Sequence, residues 1–339
     1  MKNIFYMHKI SAIGGVESFF YYLSKIYKDF SVYYKVGDPE QVKRLSKNIE
    51  VRKYTKPIKC DRLFSNYTCD IEFEAKEKYH IIHYDPLNVG FGTYYLDGWK
   101  YIGVSKVACK GFKEITGHEA ELIYNVVPIE KPKVEKNKKL TLISMTRLTS
   151  EKGGNRINQL ARMLDEKGID YEWHIYTNRI RYPFVSNKII VHEQNLNLLK
   201  EVAKASWLVQ LSDCESFGLS VCESLILGTP VIITPLEAFK EIGCEHGKNA
   251  CICDFNMKNV DIDMIAKGLP KFEYEPPKTN WDKYLKRTGT YDPNEEIEVR
   301  TKKRIFDIEK NLHYARNEIV KLTRTRASEL ECKDLVEII

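Results

Sequence analysis

The sequence predicts an α/β protein made of two similar parallel-sheet domains in tandem. Three observations carry this reading. Short apolar runs alternate with segments of helical periodicity twice over, a stretch without periodicity separates the two series, and 339 residues suit two cores better than one.

In the first series, Asn3 to His8 reads as a strand. A loop ending in Gly14-Gly15 leads into a helix that carries Val16, Phe19, Phe20, Leu23, Ile26 and Tyr27 on one stripe, able to pack on a sheet. Ser31 to Val36, Lys78 to His83, Lys100 to Val104 and Glu121 to Tyr124 read as further strands, with a helix over residues 106–116. Residues 126–139, VVPIEKPKVEKNKK, hold two prolines and five lysines and read as an interdomain linker. The second series starts with a strand from Leu140 to Ser144, a loop from Arg147 to Gly154, and a helix that turns Ile157, Leu160, Ala161 and Leu164 inward before Gly168. Tyr171 to Tyr176, Lys188 to Val191, Trp207 to Leu211, Val231 to Thr234 and Ala250 to Cys253 are its other strands. Strands that alternate with helices build parallel sheets covered on both faces, so two Rossmann-like domains are expected, binding ligand in the cleft at the carboxyl ends of their strands. The expected divisions are residues 1–130, residues 138–275 and a small tail module over 290–339. In the tail, alternation at Ile297, Val299 and at Ile319, Val320, Leu322 competes with a helical reading.

Lys and Arg exceed Asp and Glu by 53 to 47, a net charge of +6 that admits an anionic ligand without requiring nucleic acid. The nine cysteines are scattered and form no CxxC pair, which argues against a disulfide scaffold or a zinc ribbon. The start MKNIFYMHKI lacks the apolar region of a signal peptide, and no run approaches the ~18 apolar residues of a membrane span. The expected location is the cytoplasm, and a peripheral contact at the inner membrane face is compatible with it.

Four motifs carry chemistry. In residues 211–235, LSDCESFGLSVCESLILGTPVIITP, a strand ends, a loop with Glu215 follows, and a helix starts near Gly218 and stops at Gly228-Thr229-Pro230. Backbone N–H groups around Ser216, Phe217, Gly218 and Leu219 then point into the cleft, where a helix start attracts phosphate. Glu215 and Glu223 cannot bind phosphate themselves and suit the hydroxyls of a sugar or ribose. In Arg147-Leu148-Thr149-Ser150-Glu151-Lys152-Gly153-Gly154, an Arg and a Lys five apart can converge on a diphosphate. Gly14-Gly15 lets the backbone approach a ligand closely at another helix start. His83, in IIHYDP, closes an apolar strand and faces the expected cleft. Asp261-Ile262-Asp263 is a DxD, but it falls in DIDMIAKGL, which reads as a surface helix rather than a metal site.

The Glu215-x7-Glu223 spacing, the Ser216-Phe217-Gly218 that follows the first Glu, and the Gly228-Thr229-Pro230-Val231 that closes the helix resemble the retaining GT-B glycosyltransferases of family 4, the glycosyl transferases group 1. The resemblance covers about residues 1–275 and is thin in the first domain. It implies that Glu215 contacts the donor sugar and Glu223 the ribose. It implies that Arg147 and Lys152 hold the diphosphate and offset charge on the leaving group, that the loop at Gly14 and Gly15 approaches the donor phosphate and acceptor, and that His83 lies near the reacting carbon. It also implies a nucleotide-diphosphate sugar as co-substrate, UDP-sugar favoured, with no metal or other cofactor. The acceptor is left open among a glycan, a lipid-linked sugar, a protein and modified DNA, as is the oligomeric state. The tail resembles small β-rich modules of bacteriophage proteins, which implies a phage or prophage origin and conflicts with the long C-terminal helix by which many GT-B enzymes cross back to their first domain. A GT-B epimerase or phosphorylase, or a non-catalytic sugar-nucleotide-binding protein of a phage particle, is the alternative.

Overall fold

The computed structural model describes residues 2–55, 57–66, 73–88, 92–178, 181–308 and 310–339. Two parallel sheets lie in tandem. The first holds β1 (Asn3–Ile10), β2 (Phe30–Gly37), β3 (Glu50–Lys53), β4 (Ile58–Ser65), β5 (Phe73–Ile82), β6 (Trp99–Gly103) and β7 (Glu121–Leu122), with α1 (Gly15–Ile26), α2 (Pro39–Ser46) and α3 (Lys106–Thr116) between them. Its order is β3-β2-β1-β4-β5-β6-β7. The second holds β8 (Leu140–Met145), β9 (Tyr171–Thr177), β10 (Ile189–Glu193), β11 (Trp207–Gln210), β12 (Val231–Ile233) and β13 (Ala250–Ile252), with α4 (Gly154–Glu166), α5 (Leu199–Lys204), α6 (Leu219–Ile226), α7 (Glu237–Glu241) and α8 (Ile262–Lys267). Its order is β10-β9-β8-β11-β12-β13. Strand order reverses between β1 and β4 in one sheet and between β8 and β11 in the other. A doubly wound sheet binds its ligand at such a reversal, beyond the strands' carboxyl ends. The loops after β1, β8 and β11 carry three of the four motifs, so the topology itself brings those motifs to the cleft.

The sequence reading misses α2, β3 and β4. Asp38 caps α2 by accepting from the Gln41 N–H at 3.0 Å, and Pro39 takes the first helical position. β4 carries Asp61 and Arg62, whose charges pair with Lys76 and Glu77 on the neighbouring β5. Most expected strands shift by one or two residues at an end, and two depart further: Lys78 to His83 is the end of a strand that begins at Phe73 and stops at Ile82, and Glu121 to Tyr124 shrinks to two residues.

After the second sheet the chain returns to the first without a long helix. Thr279 donates to the Tyr124 carbonyl at 2.7 Å, and a short turn at Trp281–Lys283 drives the fully buried Trp281 between Phe19 and Phe64, with ring centroids 5.6 and 6.0 Å away. The tail follows as β14 (Glu296–Thr301), β15 (Ile305–Asp307), β16 (Leu312–Tyr314), β17 (Ile319–Thr323), α9 (Arg324–Cys332) and β18 (Val336–Ile338). Its antiparallel sheet runs β17-β14-β18, so the competing strand and helix readings each hold for a part of it. α9 docks on the first domain: Ser328 donates to the Val51 carbonyl at 2.9 Å, and the Glu331 carboxylate accepts from the Lys53 N–H at 2.9 Å. Buried Glu329 meets Lys43 of α2 at 3.2 Å and also Arg326 and Lys333 at 2.8 and 2.6 Å. The described cysteines are all free thiols. Among the described residues no helix is long and apolar enough to cross a membrane.

Candidate functional site

The second domain's two motif loops are stitched into one unit. Gly153 adopts φ +75°, and a Cβ there would run into the Leu211 carbonyl. Arg156, at the start of α4, donates to that same carbonyl at 2.9 Å and pairs with Asp213 at 2.5 Å, while the Asp213 N–H donates to the Glu151 carbonyl at 2.8 Å. This brings Lys152 to Glu215: the ammonium donates to Glu215 Oε1 at 2.6 Å. Gln210 and Ser212 donate to the same oxygen at 2.9 and 2.8 Å. Three donors on Oε1 fix the carboxylate and leave Oε2 with no hydrogen bond among the described residues. The Arg147 guanidinium is exposed and also has no hydrogen bond or ion pair there, so it is free to take an anion.

Gly218, at φ +81°, turns the chain into α6, and no side chain caps that helix. The first N–H groups of a helix have no partner within it, so this end offers donors to a ligand. Glu223 lies one turn further in and is 8% exposed. Burial pushes its carboxyl up to about 7, against the pull of the Tyr22 hydroxyl and of Arg44. Tyr22, from α1 of the other domain, donates to Glu223 Oε1 at 2.7 Å.

These groups line a cavity of about 530 Å³ between the sheets. Gly14, Gly15, Arg147, Lys152, Glu215, Leu219 and Glu223 all border it. The other expected site residues do not. Ser216 is buried with its Oγ 3.5 Å from Ser105 Oγ, Phe217 is buried beside Tyr124 at the domain junction, and Gly218 packs on Phe239. These three aim the helix rather than line the cleft, because their surfaces are spent on packing. His83 also departs from its expected exposure to the cleft. Its ring sits edge-on to Phe19 at 4.7 Å, its buried Nε2 has no hydrogen-bond partner among the described residues, and burial lowers its pKa to about 3, so it is neutral.

The first domain supplies residues that sequence reasoning passed over. Tyr22 falls in the run Phe19-Phe20-Tyr21-Tyr22 of α1, which reads in the sequence as core. Arg44 of α2 borders the cavity with its guanidinium 3.5 Å above the Tyr21 ring. Glu17 accepts from the Ser11 N–H at 2.7 Å and so holds the glycine loop in place. From the second domain, Tyr176 of β9 and Gln194, Asn195 and Leu196 beyond β10 also border the cavity. Spacing alone gives no signal for these, because their meeting depends on how the two sheets face each other. The first DxD aspartate is explained locally: Asp261 caps α8, accepting from the Met264 N–H at 2.8 Å.

Residues 127–288 match the sequence family described as glycosyl transferases group 1. The matched segment spans the whole of the second sheet. The match contains Arg147, Lys152, Glu215 and Glu223 but not Gly14, Gly15 or His83. Among solved structures the chain is similar to Anabaena HepE, described in complex with UDP-glucose, at 14% identity and a TM-score of 0.58, over 79% of this chain and 89% of that one. It is similar to WaaG, a glycosyltransferase involved in lipopolysaccharide biosynthesis, at 11% identity and a TM-score of 0.56, over 78% and 89% of the two chains. A glycosyltransferase from Rickettsia africae matches at 13% identity and a TM-score of 0.54, over 75% and 84%. These likenesses show the GT-B fold, two Rossmann-like domains across a cleft. No curated protein matches the sequence.

Proposed function

We propose that the protein is a glycosyltransferase that moves a sugar, with retention of configuration, from a nucleoside-diphosphate sugar to a hydroxyl acceptor, and that UDP-sugars are its donors. One observation carries the reading: a free guanidinium, a lysine, two carboxylates and an uncapped helix start border a single cavity. Cations and helix N–H groups suit the diphosphate, and carboxylates suit hydroxyls. The neighbour that binds UDP-glucose supports the choice of base.

In this reading Arg147 and Lys152 stabilise the departing diphosphate. The anomeric carbon–oxygen bond to the diphosphate breaks, a bond to the acceptor oxygen forms on the same face, and the acceptor proton passes to the leaving phosphate. Glu215 Oε2 accepts from a sugar hydroxyl, while its Oε1 stays on Lys152, Gln210 and Ser212. The neutral His83 serves as aromatic packing rather than as an acid. Arg147, Lys152 and the start of α6 meet the diphosphate charge, so the chemistry runs without a metal.

The test offers UDP-glucose, UDP-N-acetylglucosamine and UDP-galactose and measures UDP release with and without chelator, with the anomeric configuration of any product read by NMR. The expected result is release from one donor, unchanged by chelator, with the donor's configuration kept. An inverted product would overturn retention, and strict metal dependence would overturn the assignment to Arg147 and Lys152.

A further inference from the structure

Tyr22 and Glu223 are 201 residues apart and belong to different domains, yet both are buried and their side chains meet at 2.7 Å. Glu223 Oε1 takes the tyrosine hydroxyl, and Oε2 takes no hydrogen bond among the described residues. Both residues border the cavity, as does Arg44. A carboxylate accepts through both oxygens, so a bond at Oε1 leaves Oε2 open to a ligand's hydroxyl. We infer that Tyr22 is a positioning residue for the donor, fixing the Glu223 carboxylate across the domain boundary so that Oε2 can accept from the ribose. The nucleoside subsite is then built by both domains. This rests on the donor reading proposed above and adds a residue from outside the family match.

The surroundings make the bond measurable. The groups acting on Glu223 are Tyr22 from α1 and Arg44 from α2, both favouring its ionised form against the cost of burial. Cys222 is its titratable neighbour on α6. β11 and β12 carry no titratable residue, and α5 presents Leu199 to the same cavity. Removing one hydroxyl should therefore leave Arg44 alone to hold the charge. Tyr22→Phe keeps the ring and its packing.

The experiment follows the Glu223 carboxyl by ¹³C NMR against pH in the unliganded protein and measures UDP affinity by calorimetry over the same range. Wild type, Tyr22→Phe, Glu223→Gln and the double variant are compared. In Tyr22→Phe, Glu223 should keep its proton to higher pH than in wild type. UDP affinity at pH 7 should fall about tenfold, as for loss of a hydrogen bond to a charged group, and should recover as pH rises. Adding Tyr22→Phe to Glu223→Gln should change nothing further. The same carboxyl titration in wild type and Tyr22→Phe, an affinity loss equal at every pH, or an additive double variant would each overturn the inference. If wild type binds no UDP but the titration still moves, the UDP donor reading fails and the Tyr22–Glu223 coupling stands.

Discussion

The second sheet meets the cleft with two loops that hold each other, and the first meets it with single side chains that reach across. Arg156, Asp213 and the Leu211 carbonyl lock the loops after β8 and β11 within one domain. Tyr22 and Arg44 have no such lock: α1 and α2 carry them, and they find Glu223 only where the domains abut. Chemistry built inside one domain can be written as a local motif, and chemistry built between domains cannot.

The largest effect should come from the locked side. Glu215→Ala should lower turnover by at least about a hundredfold, the scale for losing a preorganised polar group at a reacting centre, while UDP affinity stays near wild type. Steady-state kinetics beside calorimetry would check this, and a parallel loss of UDP binding would move Glu215 to the nucleotide.

The next effect tests what holds the reaching side. Glu329 is buried between Lys43, Arg326 and Lys333 and ties α9 to α2. Glu329→Ala should cost about 2 kcal/mol in denaturant unfolding, short of the cost of breaking a fully buried pair because its cations are part-exposed. Although burial opposes it, those cations hold the Glu329 carboxyl down at about 2. The stability it adds is therefore present above the ordinary carboxylate range and should be lost as pH falls toward 2.

Glu223 should behave in the opposite sense. Its folded pKa is raised, so the folded state holds a proton that the unfolded state has released. Stability should fall as pH rises from the ordinary carboxylate range to about 7. Glu223→Gln should remove that slope in unfolding measurements taken at pH 5 and pH 8. An unchanged slope would place the titration elsewhere.

What the sequence made legible follows the same line. Both second-domain loops could be read because Gly153 and Gly218 mark left-handed turns at the starts of α4 and α6. Tyr22 was legible only as core, since a buried tyrosine and a buried phenylalanine look alike in a periodic stripe. α9 gave only a contested helical signal because the face it buries includes Ser328, Glu329 and Glu331 rather than an apolar stripe. β4 was masked by Asp61 and Arg62, whose partners sit on another strand.

The smallest effect concerns the DxD pair. Asp261→Ala should cost about 1 kcal/mol through the lost cap of α8 and leave turnover unchanged with or without chelator. Loss of turnover would give the pair a role beyond the cap.

In the proposed reading the Arg147 guanidinium, which has no hydrogen bond or ion pair among the described residues, takes the diphosphate. Calorimetric titration of UDP into wild type and Arg147→Ala tests it most directly. Saturable binding to wild type is expected, with at least about tenfold weaker binding to the variant, the scale of one charge-assisted contact. Equal affinity in the two proteins would contradict it.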